Sequence, residues 1–238
     1  VRGRGAGHAT IGVVSPSLPP LPEPPDPPPS EAGTVRRAAD RARYDRAAVH
    51  AVLDAGFVAH VGLATDDGPV VIPMAYARDG ERLLLHGSVA SRLMREGAAG
   101  VPVCVTVTHV DGLVLSRSAF HHSVNYRSVV VRGAAERITD PDGLAAGFAR
   151  LIDHVCPGRA AEVRPADRAE TRQTVLLAVP LDDAAVKSRT GDPRDDDRDL
   201  DRPVWAGVVP LPVVPGAPIP AADLRHQDLA PPSVVTHP

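Results

Sequence analysis

The sequence predicts a mainly β protein, a small barrel of antiparallel strands with flanking helices. Three observations carry this. Asp67-Gly68, Asp79-Gly80 and Asp111-Gly112 each sit between short apolar runs, the signature of hairpin turns. Six or seven such runs follow one another with few helical stretches between them, and closing them into a barrel removes exposed strand edges. Aromatic residues make up only 3% of the chain, so Val, Leu, Ala and Ile must build the core, and each Tyr and Trp gains weight as a site candidate.

Folded structure is expected from Val35. Asp45 can cap a helix that buries Val49, Val52 and Leu53 at i, i+3 and i+4, with Gly56 ending it. Residues 57–65 read as a first strand, 69–76 as a second and 82–87 as a third. A short helix spans 91–96. The alternation Val101, Val103, Val105 and Val107 predicts a fourth strand to His109, with Asp111-Gly112 turning the chain into a fifth at Leu113. A sixth runs over 128–135. Asp140-Pro141 opens a helix to Val155, with proline in its first turn. Residues 174–181 form the last clear strand.

The run from Ser15 to Pro29 is proline-rich, and each proline removes a backbone donor and fixes φ. Residues 1–34 are therefore expected to be a solvated, disordered tail, residues 35–212 the folded domain, and residues 213–238 an irregular proline-rich tail. Asp192 to Asp201 reads as a solvated acidic loop.

A net charge of −3 and the lack of a basic stripe with aromatics argue against nucleic acid and against an anionic membrane as partners. No apolar run is long enough to cross a bilayer, and Arg2 and Arg4 precede no apolar stretch of the signal-peptide kind. Cys104 and Cys156 form no metal spacing, and such usage fits a reducing, cytoplasmic compartment. Of the histidines, His121-His122 are adjacent and His60, His86 and His109 sit on strands, where most serve barrel or surface; no metal site is predicted.

Three segments carry chemistry. In Leu85-His86-Gly87-Ser88-Val89-Ala90-Ser91-Arg92 a strand ends in small residues and a Ser-Arg pair opens a helix, placing backbone N–H groups, a hydroxyl and a guanidinium together as a phosphate cradle would need. In Asn125-Tyr126-Arg127-Ser128 polar groups, a ring and a cation lead into an apolar strand, a set of donors suited to a planar, anionic ligand. Near the C-terminus stand Lys187-Ser188-Arg189-Thr190-Gly191 and the lone tryptophan, Trp205, beside Gly207 and Pro210.

In order and spacing these segments, with Arg43-Tyr44-Asp45 and Val71-Ile72-Pro73, resemble the flavin-nucleotide-binding branch of the pyridoxamine 5'-phosphate oxidase-like superfamily, related to nitroimidazole reductases. The resemblance spans about residues 34–212. It implies an FMN-binding split β-barrel, a homodimer with FMN at the subunit interface, and a small-molecule substrate. Carried over by residue, Ser91 and Arg92 would hold the FMN phosphate, with His86 and Gly87 beside the phosphate or ribityl chain. Ile72 and Pro73 lie on the strand whose backbone faces the isoalloxazine. Asn125, Tyr126, Arg127 and Ser128 would sit at the cofactor, and Lys187 and Trp205 would close the site. Tyr126, Arg127 and His86 are candidates for polarising a substrate.

Two departures stand out. Leu93 occupies the position where the vitamin oxidases usually carry a lysine after the Ser-Arg pair, and Val208-Val209-Pro210 replaces their C-terminal Arg-x-x-x-Pro pattern. Both argue against pyridoxamine phosphate itself as substrate. The expectation is an FMN-dependent oxidoreductase; the alternatives are a non-catalytic flavin-binding protein for storage or sensing, and a split barrel that binds haem or a deazaflavin.

Overall fold

The computed structural model describes residues 26–226 and 228–232. Its strands are β1 (Ala42–Arg43), β2 (Val58–Thr65), β3 (Gly68–Asp79), β4 (Arg82–Ser88), β5 (Pro102–Leu115), β6 (Ser123–Ala134), β7 (Glu136–Ile138), β8 (Thr174–Pro180), β9 (Asp183–Arg189) and β10 (Gly207–Pro210). Its helices are α1 (Arg46–Asp54), α2 (Arg92–Ala98), α3 (Pro141–Val155) and α4 (Arg168–Gln173). The ten strands make one antiparallel sheet in the order β1-β9-β6-β5-β2-β3-β4-β8-β7, with β10 added on β5. This is a mainly β split barrel.

Strand alternation sets its layers. Val61 and Leu63 on β2, Val103, Val105 and Val107 on β5, Val129 and Val131 on β6, and Val175, Leu177 and Val179 on β8 all point into one buried core. Burying each such side chain stabilises the fold by about 1.5–3 kcal/mol. A second core lies outside the barrel, where α3 packs on Ala77, Leu84, Leu176 and Ala178 through Leu144, Phe148 and Leu151. Gly147 permits that approach, because a Cβ there would collide with Leu176.

The helix starts follow the predicted capping. Asp45 accepts from the Ala48 N–H at 2.8 Å, and Asp140 accepts from Gly143 with Pro141 in the first turn. The C-terminal end of α1 is held from three sides. Tyr76 donates its hydroxyl to the Leu53 carbonyl, His109 Nε2 pairs with the Val52 carbonyl at 2.9 Å, and His154 Nε2 pairs with the Gly56 carbonyl at 2.7 Å. Arg78 grips Asp54 with two hydrogen bonds of 2.7 and 2.6 Å. Burial opposes ionisation of Asp54, but the Arg78 guanidinium outweighs it and holds the carboxyl below its ordinary range.

The structure departs from expectation at several places; β7, β10 and α4 are additional elements, and β6 starts at Ser123 rather than at 128. Asp111-Gly112 does not turn the chain: β5 runs straight through it, with a register shift between Val110 and Gly112. Both halves of β5 pair with β6, and Gly112–Leu115 also pairs with β10, so continuous pairing converts the dipeptide into a bulge that bends the strand without reversing it. β9 was not expected; Ala184 and Ala185 are weak strand formers, and pairing with β6 on one side and β1 on the other imposes the strand. At the N-terminus, most of the tail expected over 1–34 lies outside the described residues. Within the described part, order starts a few residues before Val35, where Ser30 Oγ donates to Asp183 at 2.8 Å.

Candidate functional site

Two surfaces on the outside of the barrel are candidate sites. The first is an open face. Cross-strand partners share a side of the sheet, so the pairings Pro73–His60, His60–Thr106, Thr106–Val130 and Val130–Ala185 define one row across β3, β2, β5, β6 and β9. One step along, Val71, Gly62, Cys104 and Arg132 form a second row, and Thr108, Ser128 and Lys187 a third on the opposite flank. Gly62 has no side chain, so the second row sinks into a shallow groove of about 360 Å³, floored by Gly62, Val71 and Cys104 and rimmed by Pro69 and Pro102. The face mixes Pro73, Val130 and Ala185 with the His60 imidazole and the Thr106 hydroxyl in its middle row, and carries Arg132 on one flank and Thr108, Ser128 and Lys187 on the other.

The predicted phosphate cradle borders this face. Ser91 occupies the N-cap position of α2, and its hydroxyl makes no capping bond. Arg92 reaches the β2–β3 turn and pairs with Asp67 at 2.7 Å, while its side chain stays open to solvent. A phosphate arriving here would meet a guanidinium already matched to one carboxylate. Gly87, by contrast, faces the barrel interior: a Cβ on it would lie 2.8 Å from Met94 Cγ. Its role visible here is to let α2 close on β4. Ile72 also turns inward and packs on the core, so it presents only its backbone near the open face, whereas Pro73 is exposed on it.

The polar cluster of β6 divides. Ser128 lies on the open face and donates to the Lys187 carbonyl at 3.0 Å. Lys187 Nζ donates to the Arg37 carbonyl at 2.7 Å, which ties it to the segment before β1. Tyr126 is half-buried at the end of the same side of β6. Arg127 is occupied by Asp111, with bonds of 3.0 to 3.3 Å across the bulge. Asn125 is buried, where it accepts from Arg189 and donates to the Gly191 carbonyl at 3.2 Å. These two residues brace the β5–β6–β9 end of the barrel in this chain. Trp205 precedes β10 and is 63% exposed.

The second surface is a pocket where α3 leaves the sheet. β4 alternates Leu83, Leu85 and Gly87 inward with Leu84, His86 and Ser88 outward, so His86 emerges on the α3 side. Beside His86 and Ala75, a pocket of about 500 Å³ opens between α3 and the sheet. Phe148, Leu151, Ile152 and Val155 of α3 form one wall, Ala75 and Thr174 the floor, and Cys156, Arg159 and Glu170 the rim. His86 is the imidazole in this lining; it stays exposed at the pocket mouth, and its partial desolvation there pushes its pKa below the ordinary range. The two surfaces adjoin, because Ala75 of the pocket lies on the same side of β3 as Pro73, two residues or about 7 Å along the strand.

Sequence reading named His86 but not its surroundings. The missed residues are those of α3. Their spacing, Phe148, Leu151, Ile152 and Val155 at i, i+3, i+4 and i+7, is that of any core-facing helix, and only the structure shows that Ile152 and Val155 stay 36% and 46% exposed.

Strand order and layers define a mainly β split barrel. The pyridoxamine 5'-phosphate oxidase family pattern matches residues 45–188, and the chain belongs to that family. The solved flavocytochrome Anf3 from Azotobacter vinelandii is 36% identical, covering 86% of this chain and 95% of its own, with a TM-score of 0.80. A FAD- and haem-binding protein from Mycobacterium smegmatis is 38% identical, covering 81% and 94%, with a TM-score of 0.77. A Bacteroides thetaiotaomicron protein assigned to 5-nitroimidazole antibiotic resistance is 19% identical over 61% of this chain and 85% of its own, at a TM-score of 0.51, a likeness of fold alone. No curated protein matches the chain.

Proposed function

We propose that this chain is a two-cofactor redox protein, with a flavin nucleotide on the open face and a haem in the α3 pocket. The observation that carries the reading is the pocket: an apolar slot of about 500 Å³ with one imidazole, His86, in its lining. A haem needs an apolar slot and an axial nitrogen, and His86 with Phe148, Ile152 and Val155 fits both needs. The two relatives above one-third identity support the same pair of groups, since one is a flavocytochrome and the other binds FAD and haem. Where the sequence resemblance implied FMN, the relative that names its flavin names FAD, and FAD is the reading adopted.

On the open face, Ser91 and Arg92 would hold a phosphate, Arg92 exchanging part of its Asp67 contact for it. Pro73 and the backbone of Ile72 would lie under the ring system, with Ser128, Lys187 and Tyr126 at its polar edge. A bound flavin supplies two-electron chemistry with access to single-electron steps, and a haem supplies single-electron chemistry. The residues bind, orient and partly dry these groups. Through β3 they also place the two surfaces side by side.

A shallow face covers a ring system only when something closes over it. We take the chain to act as a homodimer, with the open face at the interface. Exposed Val71 (63%) and Val58 (52%) on this side support that reading.

The test is an absorbance spectrum of the purified full chain, with mass identification of what heat releases. Flavin bands together with a Soret band, and release of FAD, are expected. A flavin spectrum without Soret absorbance, persisting after haemin is added, removes the haem half. A colourless protein that takes up neither added flavin nor haemin overturns the whole reading.

A further inference from the structure

The chain does not end at the barrel. After Pro210 closes β10, residues 211–225 run out as an irregular, extended segment in which every residue is exposed. Among the described residues, the backbone hydrogen bond tying this stretch to the body is the one from Leu211 N–H to the Asp111 carbonyl, at 3.1 Å.

Its chemistry is wrong for a solvated linker. Leu211 to Ala222 contains no charged residue, and Val213, Val214 and Ile219 are 87%, 72% and 93% exposed. A free tail gains nothing from holding such side chains in water, and soluble spacers are typically polar or charged. The acidic loop over 192–202, expected to be solvated, differs: it is tied down through Asp195, which is paired with Arg117, and through buried Asp199. Prolines 212, 215, 218 and 220 fix φ at four positions, so the extended shape is prepared in advance and little entropy is lost on docking. They also remove backbone donors, so the segment cannot join a sheet edge as a regular strand. It has to dock by its side chains.

We propose that residues 211–225 are an arm that packs on the outer face of a second copy of this chain. The inference rests on the homodimer reading above. The face it meets has the matching character: the groove of Gly62, Pro69, Val71, Pro102 and Cys104 is mostly apolar, its one charged lining residue, Arg132, is paired with Asp183, and Val71 stands 63% exposed beside it. Both features go uncovered in one copy, and both are covered when two copies exchange arms. Such an arm also closes the shallow face on which the flavin is placed.

The test uses the full chain and a version ending at Leu211, compared by sedimentation across a concentration series. The full chain is expected to be a dimer, and truncation to weaken the dimer by about 10-fold or more. A triple substitution, Val213→Ser, Val214→Ser and Ile219→Ser, checks that the effect comes from the apolar side chains; it is expected to weaken the dimer similarly while leaving the barrel's melting temperature unchanged. A photo-crosslinking residue in place of Val214 then reports where the arm lies. Adducts joining two chains through peptides of β2, β3 or β5 support the proposal. Adducts within one chain only, adducts to another face, or no adducts overturn it. A full chain that is monomeric throughout defeats the dimer reading itself. A dimer equally tight without the arm defeats only the arm.

Discussion

The outer surface of this barrel has two parts made by the same alternation and finished differently. Over β3, β4 and β8, the outward residues Ala77, Leu84, Leu176 and Ala178 are sealed under α3. Over β2, β3 and β5, the outward residues His60, Gly62, Val71, Pro73 and Thr106 have no helix above them among the described residues. One region therefore encloses a pocket using its own chain, and the other offers a shallow face that a further body must complete. On the function proposed above, the first would take the haem and the second the flavin, with its phosphate at the solvent edge.

The largest expected effect separates the two regions. His86→Ala removes the pocket's imidazole and should abolish the Soret band of protein reconstituted with haemin, while flavin content and the far-ultraviolet dichroism stay unchanged. Full haem retention would show that the pocket does not work through His86.

Next comes the mirror experiment on the open face. Arg92→Ala should weaken flavin binding about 10- to 100-fold, the loss of one charge-assisted phosphate contact, and leave haem uptake alone. Asp67→Asn frees Arg92 from its partner and should move flavin affinity the other way, by a few-fold, as read by fluorescence titration. Opposite signs for the two substitutions are the signature; equal losses would place Asp67 in the site as a structural support.

The seal over the covered region can also be pried open. Gly147→Val puts a branched side chain where even a Cβ meets Leu176, and should cost about 1–3 kcal/mol in chemical denaturation. Haem retention should fall with it, and flavin affinity should not.

The smallest effect concerns the rim of the pocket. Glu170 caps α4 by accepting from the Asp167 N–H and pairs with Arg164 at 2.6 Å. The Arg164 hydrogen bond, then the Asp167 backbone bond, lowers its pKa from 4.5 to about 2. A carboxylate depressed in the folded state stabilises it fully above the unfolded pKa, and that contribution is lost as pH falls through the folded one. Between pH 4.5 and about 2, α4 should hold its cap, as a carbon-detected titration of Glu170 would show. A midpoint near 4.5 would mean that the cap does not form in solution.

Much of this was legible beforehand because it is local. Asp45, Asp140-Pro141 and the alternating valines act within a few residues, and α1, α3 and the central strands lie where those signals put them. The Ser91-Arg92 pair falls at the start of α2 for the same reason. Legibility ended where a neighbour decides. Asp111-Gly112 has the composition of the two true turns, yet pairing with β6 and β10 makes it a bulge. Asn125 and Arg127 looked like ligand donors but are engaged by Arg189 and Asp111, partners remote in sequence or across the bulge.

The sequence by itself determined the fold class, the family resemblance and the residue types a nucleotide would need. Periodicity, caps and motif order are properties of short segments, and a chain carries them before it folds. Tertiary structure alone decided which face each residue serves. It turned Gly87 inward, carried His86 out toward α3 and away from the polar cluster of β6, and left residues 211–225 without a surface of their own. A side chain's sidedness follows from the register of whole strands and the placement of a helix over them, and those depend on contacts between residues far apart in the chain.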